Sequence, residues 1–348
     1  MDQSPITFMK KIRGGIRALV RTTGYDIVRL PPPDPRLGGA SHDDAHGLPP
    51  EVADQLRPDH PRLLELRERY SRCDLPMALR TMWASDYLKE ELDLPHFRGD
   101  NAYVWQFRNV GTSARLKYYL FLRDLAARDR HGLLHRLAED GAFGCWTFDY
   151  PGYPVVSRDL LDSINELYFL DDHVGLLQKP GFTVLDIGAG YGRLAHRALA
   201  AAPQLGAYLC TDAVPESTFL CEFYLRFRNC GPRAEVLPLD ELDARLAGRK
   251  VDLAVNIHSF SEMSARTIEG WVSRLSQHRV PWLLVVPNDA DRLLTSEEDQ
   301  TRREFDTVLA GQGYELVLKQ SIFSDPTLRE FMRVTDHFFL FRHRSAAS

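Results

Sequence analysis

The sequence predicts an α/β protein, a doubly wound, seven-stranded, mostly parallel sheet preceded by a mainly helical N-terminal domain. Three observations carry this. Beyond residue 180, short apolar runs alternate with segments of helical period, the rhythm of β-α-β units. The first of those runs, Thr183-Val184-Leu185-Asp186-Ile187, leads into Gly188-Ala189-Gly190-Tyr191-Gly192 and then into a helical pattern at Leu194, Ala195, Ala198 and Leu199. Before residue 155 the apolar spacing is mostly helical, with Leu63, Leu66 and Tyr70 on one face and Leu116, Tyr119 and Leu120 on another. The chain has 348 residues, more than one core usually organises. Three segments are expected: a basic helix and Pro-rich linker over 1–60, a helical domain over 61–154 that covers the site built on the sheet, and the sheet domain over 155–348.

The elements follow in order. Residues 6–21 place Ile6, Met9, Ile12, Ile16, Leu19 and Val20 opposite Lys10, Arg13, Arg17 and Arg21. Such a basic amphipathic helix can touch a membrane surface peripherally. Gly14 and Gly15 interrupt it, which favours packing on its own core or a partner's. Residues 31–61 are punctuated by Pro and Gly and read as linker or surface loop. Tyr103, Trp105 and Phe107 alternate within 97–109, and with Trp146 they could line an apolar pocket. Residues 141–158 read as a loop or short hairpin, and Ser157 as the cap of a helix over 160–177. Strands are expected at 183–187, 207–210, 235–239, 251–257, 282–286, 314–323 and 337–341. Helices are expected at 215–229, 264–278 and 298–310. No ten-residue helical pattern separates the last two strands, so an antiparallel pair is open to them.

Composition excludes several function classes. The net charge of -5 does not favour a nucleic-acid partner. Cys73, Cys145, Cys210, Cys221 and Cys230 are widely spaced, which argues against a zinc cluster or a disulfide framework and suits a reducing cytosol. No apolar run approaches the roughly 20 residues of a membrane span. The start, Met1-Asp2-Gln3, has no charged region followed by an apolar one, so no signal peptide is expected and the location expected is cytoplasmic.

The glycine turn is D-x-G-x-G-x-G. The dinucleotide fingerprint G-x-G-x-x-G would need a third glycine at position 193, which is Arg193. Asp186 would repel a pyrophosphate but suits the ammonium of an amino-acid sulfonium. The expected cofactor is therefore S-adenosyl-L-methionine, held by Asp186, Gly188, Gly190, Gly192, Arg193 and Asn256. Asp212, after the second strand and next to Ala213, can take ribose hydroxyls, and Asp240, after the third, stands near the adenine.

The chain also resembles a bacterial family of sugar O-methyltransferases within the class I methyltransferases. The matching runs are Val156-Ser157-Arg158-Asp159-Leu160-Leu161-Asp162-Ser163, the turn 185–194, Thr211-Asp212-Ala213-Val214-Pro215-Glu216-Ser217-Thr218, Asn256-Ile257-His258-Ser259-Phe260-Ser261-Glu262, and Val286-Pro287-Asn288. They span about 140–287. The resemblance implies a class I methyltransferase fold and a sugar hydroxyl as acceptor, on a glycosylated metabolite or a glycan.

A neutral hydroxyl is a poor nucleophile, so a general base is expected. His258, leaving the fourth strand, is the first candidate, since imidazole titrates nearest neutral pH. Glu262 could orient it or bind a substrate hydroxyl, and its alternative role is a capping box with Ser259. Arg158 and Asp159 are expected to contact the acceptor. Asp289 is a further acceptor contact that could join Glu262 around a divalent cation, though no metal is assigned. His337 is a second possible base. The competing functions are O- or N-methylation of a polyketide or aromatic natural product, a non-catalytic cofactor-binding scaffold, and an oxidoreductase. A homodimer through the helical segment is open.

Overall fold

In a computed structural model of the chain, the described residues are 48, 50–79, 82–83, 88, 92–99, 103, 114–288 and 291–347. The basic helix expected at 6–21 and the linker residues 31–47 lie outside them. Among the described residues no helix is long and apolar enough to cross a membrane.

Seven strands form one sheet: β1 (Thr183–Ile187), β2 (Ala207–Thr211), β3 (Ala234–Val236), β4 (Leu253–His258), β5 (Trp282–Pro287), β6 (Tyr314–Ser321) and β7 (His337–His343). Their order is β3-β2-β1-β4-β5-β7-β6. β1 to β5 pair in parallel, whereas β7 runs antiparallel to both β5 and β6. This is the doubly wound, mostly parallel sheet expected of the class. Strands covered on both faces must be apolar on both. Accordingly Val184, Leu185 and Ile187 of β1, and Leu283, Leu284 and Val285 of β5, are all buried.

The main helices are α1 (Pro61–Ser71), α2 (Ala114–Ala126), α3 (Arg158–Val174), α4 (Arg193–Ala201), α5 (Pro215–Phe227), α6 (Ala265–Gln277), α7 (Asp306–Gly311) and α8 (Pro326–Met332). Ser157 caps α3 by accepting from the Leu160 amide at 3.1 Å, and Gly175 ends the helix in the left-handed conformation. The expected hairpin before α3 is a single antiparallel bridge, Phe148 to Val156.

Two expected elements differ. The strand at 235–239 stops at Val236, and Pro238 just beyond it has no amide to give a ladder. The helix at 298–310 is only Asp306–Gly311. Asp299 Oδ1 takes both the amide and the hydroxyl of Thr301, at 3.0 and 2.6 Å, and the Glu297 amide donates to the Thr301 carbonyl. These local bonds offer the backbone an alternative to helix.

Leu63, Leu66 and Tyr70 of α1 join one hydrophobic cluster with Phe219 and Phe223 of α5 and with Leu185 and Ile187 of β1. A buried charge network makes a second joint. Arg98 is fully buried, donating to Asp159 at 2.8 Å, to Glu139 at 2.8 Å and to the Ala142 carbonyl at 3.2 Å. Arg197 of α4 and the Ser157 hydroxyl reach the same Glu139 oxygen at 2.8 and 2.6 Å. Tyr191 of the glycine turn donates to Asp159. Burial alone would raise the Glu139 carboxyl, but Arg98 and Arg197 outweigh it and hold it at about 2.

Removing one partner of a buried ion cluster leaves an uncompensated charge. Arg98→Met is therefore expected to cost about 3–5 kcal/mol of stability, read from a lower urea midpoint at an unchanged denaturant slope.

Candidate active site

The site lies beyond the carboxyl ends of β1, β2, β4 and β5, where a doubly wound sheet leaves a crevice. A cavity of about 430 Å³ opens there. Its floor is the glycine turn. Gly188, Gly190 and Gly192 all have positive φ, which admits glycine and few other residues. Only the first two face the cavity. At Gly188 a Cβ would overlap the Ser259 hydroxyl on the loop after β4, and at Gly190 it would come to 3.4 Å from the Tyr103 ring. Gly192 instead packs against Cys221 and Leu225 in the core.

Four of the five amides of this turn are spent internally. Those of Gly188 and Ala189 donate to the Thr211 carbonyl at 2.9 and 3.2 Å, and that of Gly192 to the Ala189 carbonyl. The Gly190 amide donates to Asp212 Oδ2 at 3.0 Å. A phosphate cradle needs such groups aimed at the ligand; here they close the turn.

Two carboxyls flank it. Asp186 is buried and accepts from the Tyr208 hydroxyl at 3.0 Å. Asp212 is buried and also accepts from the Val214 amide at 2.9 Å. Burial pushes each up to about 7, against hydrogen bonds that favour the charged form.

The loop after β4 supplies the opposite wall. Asn256 is fully buried and does not reach the cavity. Its amide nitrogen donates to the Ile187 carbonyl at 2.9 Å and to the Ser259 hydroxyl at 2.6 Å, while its oxygen takes the Phe260 amide. It staples β4 to β1. His258 lines the cavity with φ +69°, and its Nε2 stands 3.5 Å from Asp336 Oδ2. Glu262 lines it too but does not cap a helix. Its oxygens accept from Trp83 Nε1 at 2.6 Å and from Asn288 Nδ2 at 2.9 Å. Burial raises its carboxyl above the usual range.

The remaining predicted residues divide. Ala213, Arg158 and Asp159 line the cavity. Arg158 pairs with Asp162 at 3.1 Å. Asp159 Oδ2 belongs to the Arg98 network, taking Arg98 and Tyr191, while its Oδ1 is buried without a hydrogen-bond partner. Arg193 lines the cavity, yet its guanidinium is bound in a fork by Glu166 at 2.8 and 2.9 Å. Asp240 is not at the cavity; Arg69 of α1 takes both its oxygens at 2.8 Å. His337 turns its Nδ1 to the Thr335 carbonyl and does not line the cavity. Of the aromatic candidates, Tyr103 lines it and Trp146 does not, while Trp105 and Asp289 lie outside the described residues. Among the described residues no three His, Cys, Asp or Glu side chains form a metal site.

Sequence reasoning missed Trp83, Asp162, Ser217, Asn288 and the segment Arg333 to Asp336, which all line the cavity. The reversal of β7 brings that last segment to the carboxyl edge. The one signal available for it was an acid just before a final strand able to pair antiparallel.

No family model and no curated protein matches the chain. Similar solved structures include a SAM dependent methyltransferase from Aquifex aeolicus, 17% identical at a TM-score of 0.38, covering 51% of this chain and 88% of that one. Another is magnesium protoporphyrin IX methyltransferase from Synechocystis PCC 6803 with bound SAM, 13% identical at 0.37, covering 68% and 99%. A protein of the NADB-Rossmann superfamily from Streptococcus agalactiae is 16% identical at 0.37, covering 54% and 68%. At these scores the likenesses assign no chemistry to this chain, which rests on the sheet and the cavity.

A carboxyl raised on folding favours the folded state below its unfolded value, and that contribution is lost as pH rises through the folded one. The ligand-free protein is expected to lose stability from Asp186 and Asp212 as pH climbs from about 4 to about 7. Asp212→Asn should flatten part of that slope in thermal melts taken across the range.

Proposed function

We propose that the protein is an S-adenosyl-L-methionine-dependent O-methyltransferase whose acceptor is a sugar hydroxyl. The observation that carries the cofactor is the turn itself. Four of its five amides are used within the protein and two buried carboxyls flank it, so the floor disfavours phosphate and favours a cation that also carries hydroxyls. Dinucleotides need the opposite arrangement.

Asp186 suits the ammonium group and Asp212 the ribose hydroxyls, with Gly188 and Gly190 allowing close backbone approach. Bound there, the cofactor supplies a methyl carbon on a sulfonium that leaves as a neutral thioether. The chain's own residues then have to place a hydroxyl in line and take its proton. His258 is the base that reaches the cavity. The Arg98 network fixes Tyr191 and α3 around the turn, so the floor is set before ligand arrives.

The acceptor wall supports a polyhydroxylated substrate. Asp162, Glu262, Asn288 and Thr335 present hydrogen-bonding groups within one cavity, beside the indole of Trp83. An indole face suits the apolar face of a sugar ring, while the polar groups suit its hydroxyls. The motif runs 156–163 and 256–262 agree with the same substrate class. An aromatic acceptor is the second reading, favoured by the Trp83 and Tyr103 rings, whose centroids lie 5.2 Å apart at the cavity.

Calorimetry should show S-adenosylhomocysteine binding and no NAD binding; the reverse result sinks the cofactor assignment. Asp212→Asn is expected to weaken the homocysteine analogue by about tenfold, or roughly 1.4 kcal/mol. With a panel of nucleotide-linked sugars, glycosides and phenols, methyl transfer to sugars is expected, and transfer confined to phenols would select the second reading. His258→Ala should lower kcat by about 10²–10⁴-fold with analogue affinity retained.

A further inference from the structure

We infer that Asp336 is the positioning residue of a His258–Asp336 dyad, and that it makes Nδ1 of His258 the nitrogen that takes the acceptor's proton. This rests on the methyl-transfer reading of the cavity. Glu262 was the carboxylate expected to orient His258, but both its oxygens are engaged by Trp83 and Asn288. Among the described residues, Asp336 Oδ2 is the carboxylate oxygen at ion-pair distance from the imidazole, 3.5 Å from Nε2, and both side chains line the cavity.

The fold delivers Asp336 by one departure from parallel pairing. Because β7 runs against β5, its first residues stand at the same edge as the last residues of β4 and β5. A parallel β7 would have put residue 336 at the far end of the sheet. The approach is anchored twice. The buried Lys117 ammonium donates to the Met332 carbonyl at 2.9 Å, at the end of α8, and the Ile322 amide donates to the Asp336 carbonyl at 3.1 Å. His258 is held as firmly from its own side. Its α-carbon pairs with Pro287, and Asn256 staples the strand beneath it. It keeps a positive φ of 69°, a conformation that costs a non-glycine residue on the order of 1 kcal/mol or more and persists where the surroundings enforce it.

The neighbouring charges are accounted for. Arg158 on α3 lies near Asp336 but pairs with Asp162. Glu166, also on α3, senses His258 but is held by Arg193 of α4. Glu262 senses His258 and is hydrogen-bonded as above. Arg333 is exposed on the segment before Asp336, and His337 turns to Thr335.

A carboxylate beside Nε2 keeps the proton on that nitrogen and leaves the lone pair on Nδ1. As the acceptor oxygen forms its bond to the methyl carbon, the C–S electron pair stays on sulfur and the O–H proton passes to Nδ1. The imidazolium so formed is offset by Asp336, and it returns its proton to water.

The test is ¹⁵N spectroscopy of histidine-labelled protein, with the His258 signals assigned from the His258→Gln variant, together with kinetics. The wild type should show the Nε2–H tautomer. Asp336→Asn should mix the tautomers, since it removes the carboxylate that holds the proton on Nε2. In the same variant kcat should fall by about 10²-fold, with the affinity for S-adenosylhomocysteine unchanged. Asp336→Glu should recover part of the rate. Asp336→Ser serves if the asparagine variant does not fold. A wild-type tautomer in these variants would overturn the dyad. The spectra need no turnover, so a wild type that fails to bind the homocysteine analogue would refute the methyl-transfer reading while the dyad is still decided.

Discussion

Arg98 is the interaction on which the rest of the structure leans. A guanidinium with no exposed surface survives only if its charge and its donors are met, and here Glu139, Asp159 and the Ala142 carbonyl meet them. Through Asp159 it reaches the start of α3 and the Tyr191 hydroxyl. Through Glu139 it reaches Ser157, the cap of α3, and Arg197 on α4. The helix that begins after the glycine turn, the helix before β1 and the turn itself are thus fixed by one set of charges. Geometry of this kind gives a binding floor its shape without help from a ligand.

The floor has an electrostatic character of its own. Most phosphate-binding turns leave their amides open. In this turn the carbonyl of Thr211 and the carboxyl of Asp212 take three of them, and that closure is what allows two acids to stand beside the same glycines. Both acids are raised by burial, so a cationic ligand would meet groups ready to give up a proton in exchange for its charge. The wall opposite differs. It is built from segments far apart in the chain, and Asp162, Glu262 and Asn288 on it are each already held by a neighbour.

Two devices set that wall. Asn256 bonds the end of β4 to the end of β1 and takes the Phe260 amide, which sends the chain sharply past His258. The reversal of β7 then brings Arg333 to Asp336 across the opening. A sheet parallel throughout would lack both this wall and its carboxylate.

The sequence alone determined the strand rhythm, the glycine turn and the placement of Asp186, Asp212 and His258 at strand ends. These follow from short-range chemistry: apolar runs need burial, glycines permit positive φ, and a strand end has a fixed position in a doubly wound sheet. Only the tertiary structure decided what each polar side chain meets. Asp240 sits after β3 as its position implied, yet Arg69, 171 residues away, takes it. Arg193 looked available until Glu166 closed on it, and Trp83 reaches Glu262 across 179 residues. Asn256 read as a ligand contact and is a staple. Asp336 carried one local mark, an acid just before the last strand, and nothing local tied it to His258. Periodicity reports which face of an element is buried, whereas a side chain's partner depends on how distant elements pack, and no short stretch of sequence encodes that.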